Sequence, residues 1–240
     1  RNELLYSNVK GRNPFKDKRV RQAFYQAIDV NAINKAVMRG LSVPTAINLP
    51  NPVRAGIPKE MDKRYPHDVA AAKKLLAEAG YPNGFEVTLD CPNNRYINDE
   101  EICIALAGMW AQLKIKVKVN AQPRATYFPK IEKQDTSLYM LGWGGAITDA
   151  ETTFTPVLRN RGEKGQGYWN FGGVKNDKFD ALAAQQAADP FGIALQRRPV
   201  QAELGLHRRH RFRRGRVTED LFRRIAGQQF EHGEHHHRGH

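Results

Sequence analysis

Between residues 68 and 143 the apolar period changes again and again, from that of a helix to that of a strand and back. "DVAAAKKLLAEAG" (68–80) carries its apolar residues at helical spacing, with Asp68 as N-cap and Gly80 as stop. "FEVTLDC" (85–91) alternates as a half-buried strand does. "DEEICIALAGMWAQL" (99–113) is helical again, and "IKVKVNA" (115–121) alternates strictly, as a strand with one wet face. "ATYFPKIEK" (125–133) reads as a helical turn or two and "SLYMLGW" (137–143) as a strand. Strands interleaved with helices define an α/β class, a mixed sheet with helices packed on it.

The flanks fit the same class. "ELLYSNV" (3–9) reads as a strand. "DKRVRQAFYQAI" (17–28) sets Val20, Phe24, Ala27 and Ile28 on one helical face, with Asp17 as cap. "NAINKAVMRG" (31–40) repeats the pattern and ends at Gly40. The Pro- and Asn-rich stretch 43–58 is long for a loop in a compact domain, which suggests that it covers something. "NDKFDALAAQQAA" (176–188) is a last helix with Asn176 as cap.

After Asp189 the character is lost. All 8 Tyr, all 3 Trp and all 16 Lys precede that point, and seven of the 8 His follow it. Residues 190–240 therefore form an atypical Arg/His-rich tail. Three explanations stay open: a disordered basic extension, a metal or polyanion binder, or an out-of-frame translation, which the abrupt loss of Lys and Tyr favours. The tail also qualifies the net charge of +13, because 11 Arg against 5 acids put +6 of it there. The first 189 residues carry 27 Lys+Arg and 20 acids, hence +7, well mixed, and a nucleic-acid reading rests on the tail alone. "HGEHHH" (232–237) reads as an adventitious chelating tail, not an ordered metal site.

No run of about 18 apolar residues is present. The chain opens on Arg1-Asn2-Glu3 with no Met, as a mature, trimmed or partial chain would. Cys91 and Cys103 lack metal spacing; a disulfide is open to them in an oxidising compartment, and two buried free thiols are the preferred reading.

Five segments taken in order resemble one family. They are "NPFKDKRVRQAFYQAIDVNAI" (13–33), "DVAAAKKLLAEAGYPNGFEVTL" (68–89), "NNRYINDEE" (93–101), "LYMLGWGGAITDAETTF" (138–154) and "YWNFGGVKNDKFDALAAQ" (168–185). Together they are similar to the C-terminal half of the bacterial family 5 extracellular solute-binding proteins, the dipeptide and oligopeptide receptors of ABC importers. The resemblance covers residues 3–189. It implies a type II periplasmic-binding-protein-like lobe beginning near a hinge strand at 3–9, one half of a two-lobed receptor with a cleft. It further implies a periplasmic, monomeric binding protein that takes a peptide or other small solute, works with a membrane permease, and needs neither cofactor, metal nor nucleic acid. Lys114 departs from the pattern, standing where relatives usually carry Gly between helix and strand.

Site residues follow partly from the resemblance and partly from chemistry. In relatives the Asp after the Gly-Trp strand end meets the ligand's α-ammonium, which here points to Asp149. A cation buried by a closing cleft needs a paired carboxylate. The alternative for Asp149 is capping of a helix that starts at Glu151. Trp143 suits a pocket wall, and Gly142, Gly144 and Gly145 let backbone approach a ligand or simply make the turn. Arg95 aligns with an Arg that holds a ligand carboxylate, a task the planar guanidinium fits bidentately; a solvated Arg, or one paired with Asp99, is the other reading. Asn170 reads as fixing its own loop, with donation to a ligand as the other reading, and Arg124 and Tyr127 as surface or hinge contacts. A hydrolase built on Asp149 and Glu151 lacks a nucleophile motif beside them.

Overall fold

Helix α1 (Lys18–Gln26) shows how local signals become structure here. The Asp17 carboxylate accepts the Arg19 N–H at 2.8 Å, supplying the N-cap that the sequence announces. Val20, Ala23, Phe24 and Ala27 fall on one face and are buried. The computed structural model describes residues 1–49, 57–144 and 149–188. The chain divides into two units, Arg1–Pro44 with Arg64–Gly142, and Thr45–Lys63 with the residues from Trp143 on.

In the first unit, α2 (Val30–Ala36) follows α1 and starts on Asp29, whose side chain takes the N–H groups of Asn31 and Ala32. The expected glycine stop at Gly40 has a left-handed φ of 77°. Helix α3 (Val69–Glu78) is capped by Asp68 and packs on α1. Strands β1 (Glu86–Pro92), β2 (Lys116–Gln122) and β3 (Leu138–Tyr139) form a sheet in the order β2-β1-β3. All three run parallel, with Glu86 opposite Lys116, Pro92 opposite Gln122 and Asp90 opposite Tyr139. Helices α4 (Asp99–Ala111) and α5 (Arg124–Glu132) make the crossovers that parallel strands require.

The expected strand at 3–9 contracts to a single antiparallel bridge between Ser7 and Val87. The reason lies in its side chains. The Ser7 hydroxyl donates to the Glu86 carbonyl at 2.6 Å and the Asn8 side-chain oxygen accepts the Glu86 N–H at 2.8 Å, so short polar groups take over ladder bonds. This bridge is the antiparallel element of an otherwise parallel sheet.

One face of β1 enters the core. Val87, Leu89 and Cys91 meet Phe24, Leu76, Tyr81, Phe85, Trp110 and Ile115. The Phe24 ring lies 4.9 Å from both Phe15 and Trp110, and the Trp110 indole N–H donates to the Phe24 carbonyl at 2.9 Å. The sulfurs depart from the sequence reading. Cys91 and Cys103 are joined in a disulfide, not held as free thiols, and both are fully buried. The end of β1 and the second turn of α4 bring their Cα atoms to 6.6 Å, within bonding range. Met140 Sδ sits 3.6 Å from one sulfur and 3.5 Å from the other.

The opposite face of β1 carries Asp90, fully buried. Its carboxylate accepts the Asn120 amide and the Thr136 hydroxyl, each at 2.7 Å, and lies 3.8 Å from Lys130 Nζ on α5. Lys130 also pairs with Asp135 at 3.1 Å and caps the Tyr6 ring at 4.4 Å. Tyr127 is fully buried on this face and donates its hydroxyl to the Met140 carbonyl, which corrects its reading as a surface residue.

Lys114 adopts φ 60°, the left-handed conformation that the Gly of relatives allows. Replacing it by Gly is expected to raise stability by about 1 kcal/mol, read as a higher urea midpoint. An unchanged or lower midpoint would show that the position carries no backbone strain. Its neighbour Gly84 has no such freedom to change, because a Cβ there would sit 2.1 Å from the Lys114 carbonyl oxygen.

The second unit has its own small core of Leu49, Phe154, Phe179 and Ala183, with Phe154 and Phe179 edge to face at 5.6 Å. Helix α6 (Glu151–Thr153) runs into a π-helical turn, Phe154–Leu158, in which Arg159 N–H reaches back to the Phe154 carbonyl. Pro156 has no N–H for the ordinary helical bond, which favours the wider turn. Helix α7 (Asp177–Ala187) starts on Asn176 as expected. Segment 45–63 enters this unit, with Asp62 accepting from the Thr45 hydroxyl at 2.8 Å and the Ala46 N–H at 2.6 Å. Residues 50–56, the middle of the stretch expected to cover something, lie outside the described residues, as do the Arg/His-rich tail and Gly145.

Candidate functional site

Parallel strands point their carboxyl ends at one edge of a sheet, and loops leaving that edge are where α/β folds bind ligands. In the first unit this edge gathers the loop after β1, the end of β2 and the residues after β3. The β1–α4 loop is pinned along its length. Asn93 N–H bonds the Gln122 carbonyl at 3.0 Å, and the Asn94 side-chain oxygen accepts the Arg124 N–H at 2.7 Å. Asp99 is buried, and its carboxylate accepts the backbone N–H groups of Arg95, Tyr96 and Glu100 at 2.9, 3.0 and 3.1 Å. Asn98, left-handed at φ 54°, donates to the Val37 carbonyl. The disulfide then ties both ends of the loop together.

Arg95 is exposed on this loop, its guanidinium 4.9 Å above the Tyr96 ring. Asp99 is occupied with backbone donors, so the Arg95–Asp99 ion pair that the sequence left open does not form. The Tyr96 hydroxyl donates to the Gly142 carbonyl at 3.1 Å. A Cβ on Gly142 would lie 2.6 Å from the Tyr96 ring, so here the missing side chain admits Tyr96. The hydroxyl of Tyr139, on the same edge, is pushed above the ordinary phenol range by burial, and so is that of Tyr127.

In the second unit Trp143 is half-buried, its ring 6.2 Å from Trp169, and its indole N–H is enclosed without a partner. Gly144 is exposed and opens on empty space. Asp149 accepts the Glu151 N–H at 2.9 Å, while its carbonyl accepts the Thr152 hydroxyl at 2.6 Å, but it stands one residue ahead of the N-cap of α6, which is Ala150 and has no side-chain cap. Asn170 is buried and bonds Arg159 and Val174 at both ends of its amide, fixing its loop as expected. Arg95 and Gly142 thus belong to the first unit, and Trp143, Gly144 and Asp149 to the second.

Sequence reasoning named Asp99 only as a possible partner of Arg95 and missed its hold on the loop backbone, together with Tyr96 and Gln122. Asp99 follows Asn98 at the head of a helix, where a short acidic side chain often folds back on preceding N–H groups, and that signal was available. Nothing in the sequence announces that Tyr96 fills the space above Gly142. Among the described residues no group of three or more His, Cys, Asp or Glu is placed to hold a metal.

Comparison with known proteins adds an independent line. The model of the family described as bacterial extracellular solute-binding proteins, family 5 Middle, matches residues 1–165. The heme-binding protein A of Haemophilus influenzae is 31% identical over 175 residues, which are 70% of this chain and 30% of that protein. The probable deoxycholate-binding periplasmic protein of Escherichia coli is 31% identical over 188 residues, 77% of this chain and 34% of the relative. A glutathione-binding protein of Pectobacterium atrosepticum is 29% identical over 150 residues, 60% of this chain and 28% of the relative. This chain therefore spans about a third of their length. Among solved structures, a periplasmic binding protein of A. tumefaciens in complex with agropinic acid superposes with a TM-score of 0.67 at 27% identity, covering 88% of this chain and 39% of that one. A dipeptide-binding protein of Pseudoalteromonas in complex with Met-Leu gives 0.67 at 23% identity, covering 90% and 39%, a likeness of fold.

Proposed function

The chain belongs to the bacterial extracellular solute-binding proteins of family 5, and on that premise we propose that residues 1–189 form the solute-capturing C-terminal lobe of the binding component of an ABC importer. In this reading the lobe takes a peptide or similar small solute in a cleft, works as a periplasmic monomer and hands its ligand to a membrane permease. It makes and breaks no bonds and binds no nucleic acid.

One observation carries the reading. The loop at the carboxyl edge of the sheet is held by Asp99, Asn94, Asn93 and the disulfide, yet it presents a guanidinium, that of Arg95, with no acidic partner among the described residues. Rigid backbone around a free, forked donor is the arrangement that grips a carboxylate. In the first unit Arg95 is proposed to hold a ligand carboxylate and Gly142 to keep the approach open; in the second, taken by itself, Trp143 and Gly144 are proposed to line a ligand and Asp149 to meet an ammonium.

Titration of the 240-residue chain with a pool of di- and tripeptides, followed by calorimetry and by NMR, tests this. Saturable binding is expected, weakened about tenfold or more by Arg95→Gln and by Asp149→Ala. Undiminished binding in both variants would remove these residues from the site. Cleaved peptide after incubation would favour the hydrolase reading instead.

A further inference from the structure

Arg95 has a neighbour that the proposed function does not use. Arg124 opens helix α5, and its backbone N–H is bonded to Asn94, the residue before Arg95. Both side chains are exposed, and neither guanidinium meets a carboxylate among the described residues. The acids of the first turn of α4 do not neutralise them: Asp99 is committed to backbone N–H groups, and neither Glu100 nor Glu101 forms an ion pair with them.

Arg124 is also the wrong charge for its place. The first turn of a helix is electropositive and favours Asp or Glu. Helix α5 has no acid in its first turn and no side-chain cap, and it puts a cation there instead. Of the N–H groups of this turn, that of Arg124 is engaged by Asn94 and those of Thr126 and Tyr127 by the Pro123 carbonyl, so the exposed guanidinium is the main donor that a ligand meets there. A local choice that opposes helix stability, next to a second unpaired cation, marks a place shaped for something else.

Gln122 completes the edge. It stands opposite Pro92 at the end of β2, on the face that Asn120 shares with Asp90, and its carbonyl holds Asn93. Its amide oxygen is enclosed and has no partner. A buried acceptor left unpaired gives up hydration without return, unless a donor arrives.

We infer that this edge reads a second anionic group of the ligand through Arg124, beside the carboxylate held by Arg95, and a ligand N–H through Gln122. The preferred ligand class is then a small dicarboxylate with an amide or amine N–H, such as a short acidic peptide. This rests on the proposed function, because it places Arg95 on the first carboxylate.

Two isosteric dipeptides isolate the second charge: alanyl-glutamate and alanyl-glutamine. NMR titration of the full chain is expected to show the glutamate peptide binding about fivefold more tightly, the scale of one exposed ion pair. The Arg124 side-chain Nε–H resonance is expected to move with that peptide and stay still with the other. Arg124→Gln is expected to erase the difference while leaving the glutamine peptide's affinity and the protein's spectrum unchanged. Gln122→Leu weakens both peptides alike, and a glutamate peptide methylated at the amide nitrogen no longer senses that substitution. Equal affinity for the two peptides in the parent chain overturns the inference and leaves the proposed function standing. A preference that survives in Arg124→Gln does the same, by locating the second charge elsewhere. Binding of neither peptide overturns both.

Discussion

Replacing Asp90 by Ala is expected to cost about 3 kcal/mol of stability, because it strands donors gathered around a fully buried carboxylate. Asn120 and Thr136 each bond one of its oxygens at 2.7 Å, and Lys130 approaches to 3.8 Å. Asn120 loses its partner outright, Thr136 keeps only the longer contact to the Leu138 carbonyl at 3.2 Å, and Lys130 keeps Asp135. The loss is therefore mainly that of the two charge-assisted bonds and the cavity. Asp90→Asn keeps volume and one acceptor and is expected to lose less than half as much. The Lys130 ammonium is pushed down by burial, and the Asp135 and Asp90 carboxylates more than offset this, so that it is held above its ordinary range. A cation whose pKa is raised on folding contributes fully below its unfolded value and loses that contribution as pH rises through the folded value. The Lys130 part of the network is thus intact at neutral pH and fades only above about pH 10. Urea unfolding of the two variants measures the difference, and an Ala variant within about 1 kcal/mol of the parent would mean that the network is dispensable.

Removing the disulfide as Cys91→Ala with Cys103→Ala is expected to cost about 3 kcal/mol, the scale for a closed loop of this length. The bond spans twelve positions and encloses the Arg95 loop. The local effect is the more telling one. Amide hydrogen exchange at residues 93–99 is expected to accelerate in the variant well beyond that of α1, since hydrogen bonds alone then hold the loop. Both sulfurs are fully buried, so a dithiol reductant added to the folded parent acts only as fast as the protein opens. Exchange that rises equally in α1 and in the loop would show the disulfide to be a general staple without a particular role at the site.

The elements most legible in the sequence are those set by neighbours in the chain. Asp17, Asp68 and Asn176 cap the helices they were expected to cap, and Gly80 ends its helix in the left-handed conformation, because these signals act within one turn. Alternation placed β1 and β2 correctly but suggested that β1 kept a wet face. Asp90 is dry because α5 and β3 close over it, a fact of tertiary order that no two-residue period carries. The cysteines failed for the same reason: spacing does not tell that a strand end and a helix turn will meet. Resemblance singled out Arg95, whose proposed role is argued above, whereas Arg124 was read as a surface or hinge contact. Its meaning depends on the Asn94 bond that seats it beside Arg95.

The three tryptophans are distributed in a way that gives each unit its own optical signature. Trp110 is locked in the first unit with its indole N–H bonded to Phe24, and it absorbs in a rigid, asymmetric aromatic cluster. Trp143 and Trp169 lie 6.2 Å apart in the second, close enough for their transitions to couple. Near-ultraviolet circular dichroism and fluorescence quenching therefore separate melting of one unit from melting of the other without any label.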